Sequence, residues 1–416
     1  MPEVRSVQDV AIVGGGIAGL TLALQLHEVG ISCRIFEAAE SISTVGVGIN
    51  VLPHASAQMA LLGLEDQLLA KAVATRESVF YNRFGQFIYS EPAGKFAGYP
   101  HPQYSIHRGD LQLILANAVR ERLGDVIDTG ARCTGVDQHD DSVTVRISPA
   151  REGEPPTDFR AKIAIACDGI HSVVRKQFHP SEGSPRYSGV NMWRGTTIMA
   201  PVLSGASMIR VGWLTTGKLV MYPIRNNVDS QGSQLMNWVV ELTTPQYRQR
   251  DWNRPGSLAD FIGNFEEWKF DWLDVPQMLR SAEQVLEFPM VDQDPLEWWT
   301  QGRVTLLGDA AHPMVPRGSN GAGQAILDTR ALTDHLVKYG LTNEALTRYE
   351  AERLPATTKV VLTNRQNPPD AILREVFERT GDQPFDNIDD VISTNELQSI
   401  TDAYKQVAGY ASVPNS

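Results

Sequence analysis

Residues 9–37 read DVAIVGGGIAGLTLALQLHEVGISCRIFE. Asp9–Val13 is a short apolar run suited to a buried strand, and Gly14–Gly19 is a turn. Leu20–Val29 has the apolar spacing of a helix, and Ile31–Phe36 is a second strand that ends on Glu37. A Gly-x-Gly-x-x-Gly by itself says little. Here it follows a strand, opens a helix and has an acid closing the next strand, which is the context of a dinucleotide fingerprint. Gly14 permits the tight turn, Gly16 lets a pyrophosphate approach the backbone, and Gly19 lets the helix pack closely on the strand. Glu37 is placed to accept hydrogen bonds from a ribose, with Ile17, Ala18 and Ala38 beside these contacts. The fingerprint does not choose between FAD and NAD(P).

A second stretch, residues 303–331, reads RVTLLGDAAHPMVPRGSNGAGQAILDTRA. A buried strand over Val304–Leu307 delivers Gly308 and Asp309 into a Pro- and Gly-rich loop, and a helix starts near Ala322. Backbone N–H groups at such a helix start favour an anionic or electron-rich ligand. The same logic recurs at residues 160–175. The strand Arg160–Cys167 ends on Asp168-Gly169, ahead of a helix that carries Arg175. Open parallel sheets place their ligands at the carboxyl ends of strands. Val45–Asn50 is another glycine-rich turn, in which Gly48 would admit a flat ring, and it precedes a helix over Pro53–Leu62. Ser105–Asp110 leads into a helix expected over Leu111–Arg122, with Asp110 as its N-cap and Arg108 able to reach a phosphate.

Between these units the texture changes. Ser78–Tyr81 and Gln86–Tyr89 read as a hairpin, and Arg132–Gln138 and Val143–Ser148 as strands before a polar loop at Arg151–Asp158. From about Tyr187 to Phe288, strand-like runs follow one another without long helices, which predicts an antiparallel sheet. Trp193, Trp213, Tyr222 and Trp238 lie on these runs, more as core packing than as a ligand wall. Helices are expected over Ser257–Lys269 and Asp274–Ser281.

The 416 residues exceed one typical core, so two domains are expected. A net charge of −12 argues against a nucleic-acid partner. Cys33, Cys133 and Cys167 lack metal-ligand spacing, no metal site is expected, and buried free thiols fit a reducing compartment. With no apolar run long enough to span a membrane and no signal-type N-terminus, the expected location is cytoplasmic.

Three motifs together resemble the single-component FAD-dependent aromatic hydroxylases, the para-hydroxybenzoate hydroxylase-like family. They are Gly14-x-Gly16-x-x-Gly19 with Glu37, Cys167-Asp168-Gly169 through Ser172 to Arg175, and Gly308-Asp309-Ala-Ala-His312-Pro313. The phenazine-hydroxylase branch is resembled more narrowly through Tyr104–Gln112, Met192–Gly195, Asp251–Arg254, Pro289–Asp292 and Gly318–Ala322. Where most of the family carry Gly-Gln-Gly, this chain has Ser319-Asn320-Gly321.

The resemblance implies an α/β fold: a Rossmann-like FAD-binding domain (1–76, 101–186 and 292–366), an inserted antiparallel β-sheet substrate domain (77–100 and 187–291) and a C-terminal helical tail (367–416). It implies tightly but non-covalently bound FAD, NAD(P)H as transient reductant and O2 as co-substrate. The activity implied is hydroxylation of a small aromatic or heteroaromatic molecule through a flavin C4a-hydroperoxide. Decarboxylative hydroxylation of an aromatic carboxylate, and a non-hydroxylating FAD redox protein, are the alternatives. A flavin-dependent halogenase would need a Trp-x-Trp-x-Ile-Pro pattern that the chain lacks.

In the same way the ADP half of FAD falls to the first motif, with Arg108 near phosphate or ribose. Asp168 and Gly169 serve both nucleotides, and Arg175 closes that motif. Asp309 takes the ribityl chain, and Gly321, Ala322 and Gly323 take the flavin pyrimidine edge. Trp193, Arg194, Tyr222, Val47 and Pro316 are the candidates lining the ring and substrate cavity. Arg194 or Arg317 would pair a substrate carboxylate. His312 is expected to orient its loop, no catalytic base is assigned, and the chain is expected as a monomer or homodimer.

Overall fold

The computed structural model describes residues 8–43, 46–148, 157–245, 254–366 and 368–409. Val45, most of the loop at 151–158, residues 251–253 of one quoted motif, the first seven residues and the last seven lie outside the described residues.

One sheet runs in the order Thr300–Gln301, Val304–Leu306, Thr157–Ala166, Gln8–Val13, Cys33–Phe36, Ile127–Asp128. Its four inner pairings, from Val304–Leu306 to Ile127–Asp128, are parallel. The register places Val13 beside Ala166 and Ala166 beside Leu306. The turns at Gly14, Asp168 and Gly308 therefore emerge side by side at one edge. Parallel strands need covered faces, and helices Ile17–Glu28, Arg108–Leu123, Gly321–Tyr339 and Asn343–Gln366 supply the cover. The fold is α/β and Rossmann-like, as the sequence implies.

The second large sheet has the order Arg254–Pro255, Val285–Asp292, Arg186–Met199, Gln234–Thr243, Gly217–Arg225, Ser207–Trp213, Glu77–Tyr81, Phe87–Pro92. It is antiparallel except at one place, where Ser207–Val211 runs parallel to Glu77–Tyr81. The hairpin and the later strands thus close one sheet from two distant chain segments. Gly48–Val51, Gln103–His107 and Val73–Thr75 form a small antiparallel sheet between the two.

Two helix expectations change. The helix after Ser105–His107 starts at Arg108, with His107 as N-cap, its Nδ1 accepting from Gly109 N. Asp110 sits instead in the first turn and pairs with Arg225. No helix spans 257–269. Two short 3-10 turns, Leu258–Asp260 and Ile262–Asn264, lead to a two-residue strand. Phe261, Phe265 and Trp268 mimic a helical stripe, but Gly256 and Gly263 weaken a helix there, and each ring is buried behind the sheet. The expected helix near 274–281 forms as Val275–Arg280, capped by Asp274.

The tail forms helices Ala371–Thr380 and Thr394–Ala408, the second opened by a Ser393/Glu396 capping box. Ile372, Leu373, Val376 and Leu397 pack on Phe80 and Ile88 of the second sheet, so the tail closes over the core.

Candidate active site

At the first turn, sterics select glycine twice. Gly14 has φ +106°, and a Cβ there would lie 2.5 Å from the Cys167 carbonyl oxygen; one on Gly19 would lie 2.0 Å from that of Gly14. Beside Gly16 a Cβ would meet nothing within 4 Å, so space opens at the start of helix Ile17–Glu28. That helix start has no capping side chain. Glu37 arrives as placed by the sequence, its carboxylate accepting from Gly15 N and Ala39 N, each at 2.7 Å. Gln112 donates to the Gly15 carbonyl at 2.9 Å. Sequence reasoning gave Gln112 no role, although it closes the Tyr104–Gln112 motif.

At the third turn, helix Gly321–Tyr339 also begins without a capping side chain. Unpaired N–H groups at the start of a long helix make an anion-favouring end. Asp309 faces it, its Oδ1 within 3.8 Å of a Cβ placed on Gly321. Asp309 is enclosed by protein yet exposed to solvent, the condition of a group on a cleft floor. Enclosure raises its carboxyl pKa against the lowering effect of His312 and Arg108. Arg108 is exposed, at the rim beside Gly46. At the middle turn, Asp168 accepts from Val173 N at 2.8 Å through Oδ2, while its buried Oδ1 has no partner. Burial raises its pKa.

The loop between Gly308 and Gly321 is held from behind. His312 Nε2 and Gly308 N meet Asp328 Oδ2, and Arg353 Nε donates to Asp328 Oδ1 at 2.7 Å. Burial would raise the Asp328 carboxyl, but His312 and Arg353 outweigh it and hold it below the ordinary value. His312 therefore orients the loop, as expected. Tyr404 of the tail helix stands against Gly318, receives a hydrogen bond from Asn320 Nδ2 at 2.7 Å and donates to Asn364 Oδ1 at 2.7 Å.

Arg175 does not face the cleft. All its donors are engaged inside the protein, by the Glu182 carboxylate and the carbonyls of Ala310, Ala311 and Asp294. It positions the Gly308–His312 turn and has no donor left for a nucleotide.

The sheet opposite contributes Arg194 and Tyr222. Arg194 Nη2 donates to the Gly48 carbonyl at 2.6 Å, and Asn237 accepts from Gly48 N at 2.7 Å, so Gly48 is clamped from both sides. A Cβ on Gly48 would strike Asn237 at 2.7 Å. Tyr222 is hydrogen-bonded to Arg194 and Asn50; burial raises its phenol pKa even with Arg194 adjacent. Val47, Val315, Met192 and Phe288 form an apolar cluster next to them, and Pro316 follows Val315. Trp193 does not belong here. Consecutive strand residues face opposite sides, and Trp193 is buried behind the sheet with its ring 5.2 Å from Phe261.

These features fit a flavin dinucleotide: a space that a side chain on Gly16 would enter, two uncapped helix starts, an enclosed but wet Asp309, and a clamped glycine strand facing an apolar wall. Residues 7–364 match the FAD binding domain family, and the chain belongs to it. Within that family it is a flavoprotein monooxygenase of the aromatic-hydroxylase type. It is 41% identical to phenazine 1,6-dicarboxylic acid hydroxylase of Lysobacter antibioticus, across 96% of this chain and 97% of that protein. It is 32% identical to a 3-amino-4-hydroxybenzoate 2-monooxygenase of Streptomyces platensis, across 86% and 87%. The fold matches a Klebsiella pneumoniae protein, HpxO, solved with FAD, with a TM-score of 0.76, 21% identity and 97% and 99% coverage. A salicylate hydroxylase solved with its substrate gives a TM-score of 0.72 at 21% identity, covering 98% and 99%. Among the described residues no helix is long and apolar enough to cross a membrane, and no cluster suits a metal ion.

Proposed function

We propose that the protein hydroxylates a heteroaromatic carboxylate of the phenazine type beside the place where the Gly48 strand meets the Arg194–Tyr222 face. The observation carrying this reading is the Arg194–Tyr222 pair, cationic and phenolic, set at the edge of an apolar wall, with Arg194 holding the Gly48 carbonyl. Bound FAD, reduced by NAD(P)H, supplies the oxygen-activating chemistry. The chain supplies placement. Gly14, Gly16, Gly19, Ile17, Ala18, Glu37 and Ala38 hold the adenosine and pyrophosphate, with Arg108 at the rim. Asp168 and Gly169 border the same groove. Asp309 holds the ribityl chain, and the Gly321, Ala322 and Gly323 N–H groups steady negative charge on the ring's pyrimidine edge.

Val47, Pro316 and the Met192–Phe288 cluster exclude water from the reacting face. Arg194 orients the substrate through its carboxylate, which leaves decarboxylative hydroxylation as a second outcome at the same site. The division into a FAD domain (1–76, 101–186, 292–366), a sheet domain (77–100, 187–291) and a tail follows the sheets. Three buried thiols and the need for NAD(P)H support a cytoplasmic setting, and a small molecule rather than a nucleic acid is the partner of a chain with net charge −12. A monomer or homodimer is proposed.

The experiment is NAD(P)H oxidation in air with phenazine-1,6-dicarboxylate, phenazine-1-carboxylate and 3-amino-4-hydroxybenzoate. A substrate-stimulated rate with one hydroxylated product per O2 supports the reading. Purified yellow protein that none of these acids stimulates would overturn the substrate class. For the cofactor, Asp309→Ala is expected to weaken FAD binding about tenfold, the worth of one hydrogen bond to a charged group; unchanged retention on gel filtration would remove the ribityl contact.

A further inference from the structure

Helix Gly321–Tyr339 is preceded by one of the strongest capping residue types, and that residue does not cap it. An asparagine at this position ordinarily has an extended backbone and accepts, through Oδ1, from the N–H two or three residues on. Here those N–H groups belong to Ala322 and Gly323. Asn320 instead has φ −93° and ψ −22°, already helical, and its side chain makes no cap bond. The residue is fully buried, and its Oδ1 accepts from no donor among the described residues.

The cause lies in the tail. Burial raises the Tyr404 pKa, so the phenol stays protonated with one proton to give. That proton goes to Asn364 Oδ1 at 2.7 Å, on an amide whose Nδ2 faces the Val315 carbonyl at 3.4 Å; the Arg317 carbonyl is a longer second acceptor, also at 3.4 Å. Toward Asn320 the phenol oxygen can then only accept, and it takes Nδ2 at 2.7 Å. The approach to Asn320 is fixed as well. Gly318 and Ser319 have φ +76° and +57°, and the Tyr404 hydroxyl fills the place of a side chain on Gly318. One helical turn further on, Gln324 Nε2 donates to the Ala408 carbonyl at 3.0 Å. Two matched bonds, one turn apart on each helix, hold the tail helix Thr394–Ala408 against this helix start.

We infer that Tyr404 is a positioning residue for the flavin, which acts by holding the Asn320 amide away from the Ala322 and Gly323 N–H groups. With the cap withheld, these donors are kept for the pyrimidine edge of the ring and for the negative charge that reduction places there. The inference rests on the placement of the ring proposed above and says how the chain keeps that place open. The buried, unpaired Asn320 Oδ1 is destabilising by itself, so the amide stays turned away only while Tyr404 holds it. Without the phenol oxygen the amide turns and caps the helix, and takes N–H groups that the flavin uses.

The test is the midpoint potential of the bound flavin, measured against a reference dye in the FAD-loaded wild type and three variants. Helix N–H groups aimed at the ring favour its reduced, charged form and so raise the potential. Tyr404→Phe keeps the aromatic ring and the Gln324–Ala408 bond, so the tail stays docked. It is expected to lose about tenfold in preference for the reduced form, a fall of about 30 mV for a two-electron couple. Asn320→Ala has no side chain that can cap, and is expected to keep the wild-type potential. The double variant Tyr404→Phe/Asn320→Ala decides the matter. With no amide to swing in, it is expected to return to the wild-type value, whereas a merely structural phenol would leave it shifted at least as far as Tyr404→Phe. That last result, an unchanged potential in Tyr404→Phe, or an equal fall in Asn320→Ala each overturn the inference. Those results leave the hydroxylase reading standing, because that reading is judged separately by substrate-stimulated NAD(P)H oxidation.

Discussion

The protein contains the same supersecondary unit twice, strand to glycine turn to long helix, at 8–28 and at 304–339. The two are held by different physics. In the first, main chain packs on main chain: Gly19 lies against the Gly14 carbonyl, and Gly14 against that of Cys167. In the second, side chains from far along the sequence hold the turn, with Asp328 and Arg353 behind Gly308 and His312, and Tyr404 behind Gly318 and Asn320. The first unit is rigid because nothing larger than hydrogen fits. The second is rigid only while a polar network stays complete.

Gly19→Val should separate the two most sharply. Overlap with a backbone carbonyl cannot be relieved by a rotamer, and the cost is expected at about 4 kcal/mol or more, with flavin lost and the urea midpoint collapsing. A soluble yellow variant would show that the first turn gives more than the geometry allows. Asp328→Ala comes next, at about 3 kcal/mol, because Arg353 and His312 are then buried without their acceptor. A double-mutant cycle with Arg353→Met should recover part of that loss, and strict additivity would refute the network. Tyr404→Phe is milder, about 1 kcal/mol for the lost hydroxyl bonds, with FAD dissociating faster at nearly constant melting temperature.

The smallest effect is a pH dependence. His54, against Gly323, has its pKa lowered from 6.5 to about 4 by burial and by Arg353. The unfolded chain therefore binds the extra proton first. The contribution is whole above pH 6.5 and is lost as pH falls toward 4, with a slope of up to ~1.4 kcal/mol per pH unit. Melting temperature followed from pH 7 to 4 should fall less steeply in His54→Gln than in the wild type; parallel curves would exclude the residue as the source.

The same contrast explains what could be read from the sequence. The steric roles of Gly14 and Gly19 were legible because they are settled within one turn, and the places of Glu37 and Asp309 at strand ends were legible from the strands that carry them. Arg175 was misplaced because its partners, Glu182 and the Ala310 and Ala311 carbonyls, are chosen by tertiary packing that no local motif encodes. Trp193 and Arg194 differ by one position, and strand phase alone decides that the charged residue faces the cleft and the indole faces away. Gln112, Asn237 and Tyr404 left no signal of role, since each acts on backbone or side chains remote in sequence. The false helix at 257–269 shows apolar spacing satisfied by three separate ring insertions.

The single parallel pairing in the large sheet has a consequence for how the chain is made. Val79, Phe80 and Tyr81 belong to a hairpin whose inner neighbour is Ser207–Val211. At ribosomal speeds that neighbour is synthesised on the order of ten seconds later. During that interval the newborn hairpin carries an open edge and apolar residues with nothing to cover them. Its final cover, the helix Ala371–Thr380, comes later still. This region is where a chaperone would bind during synthesis, and where a slowly translated or truncated chain would first aggregate.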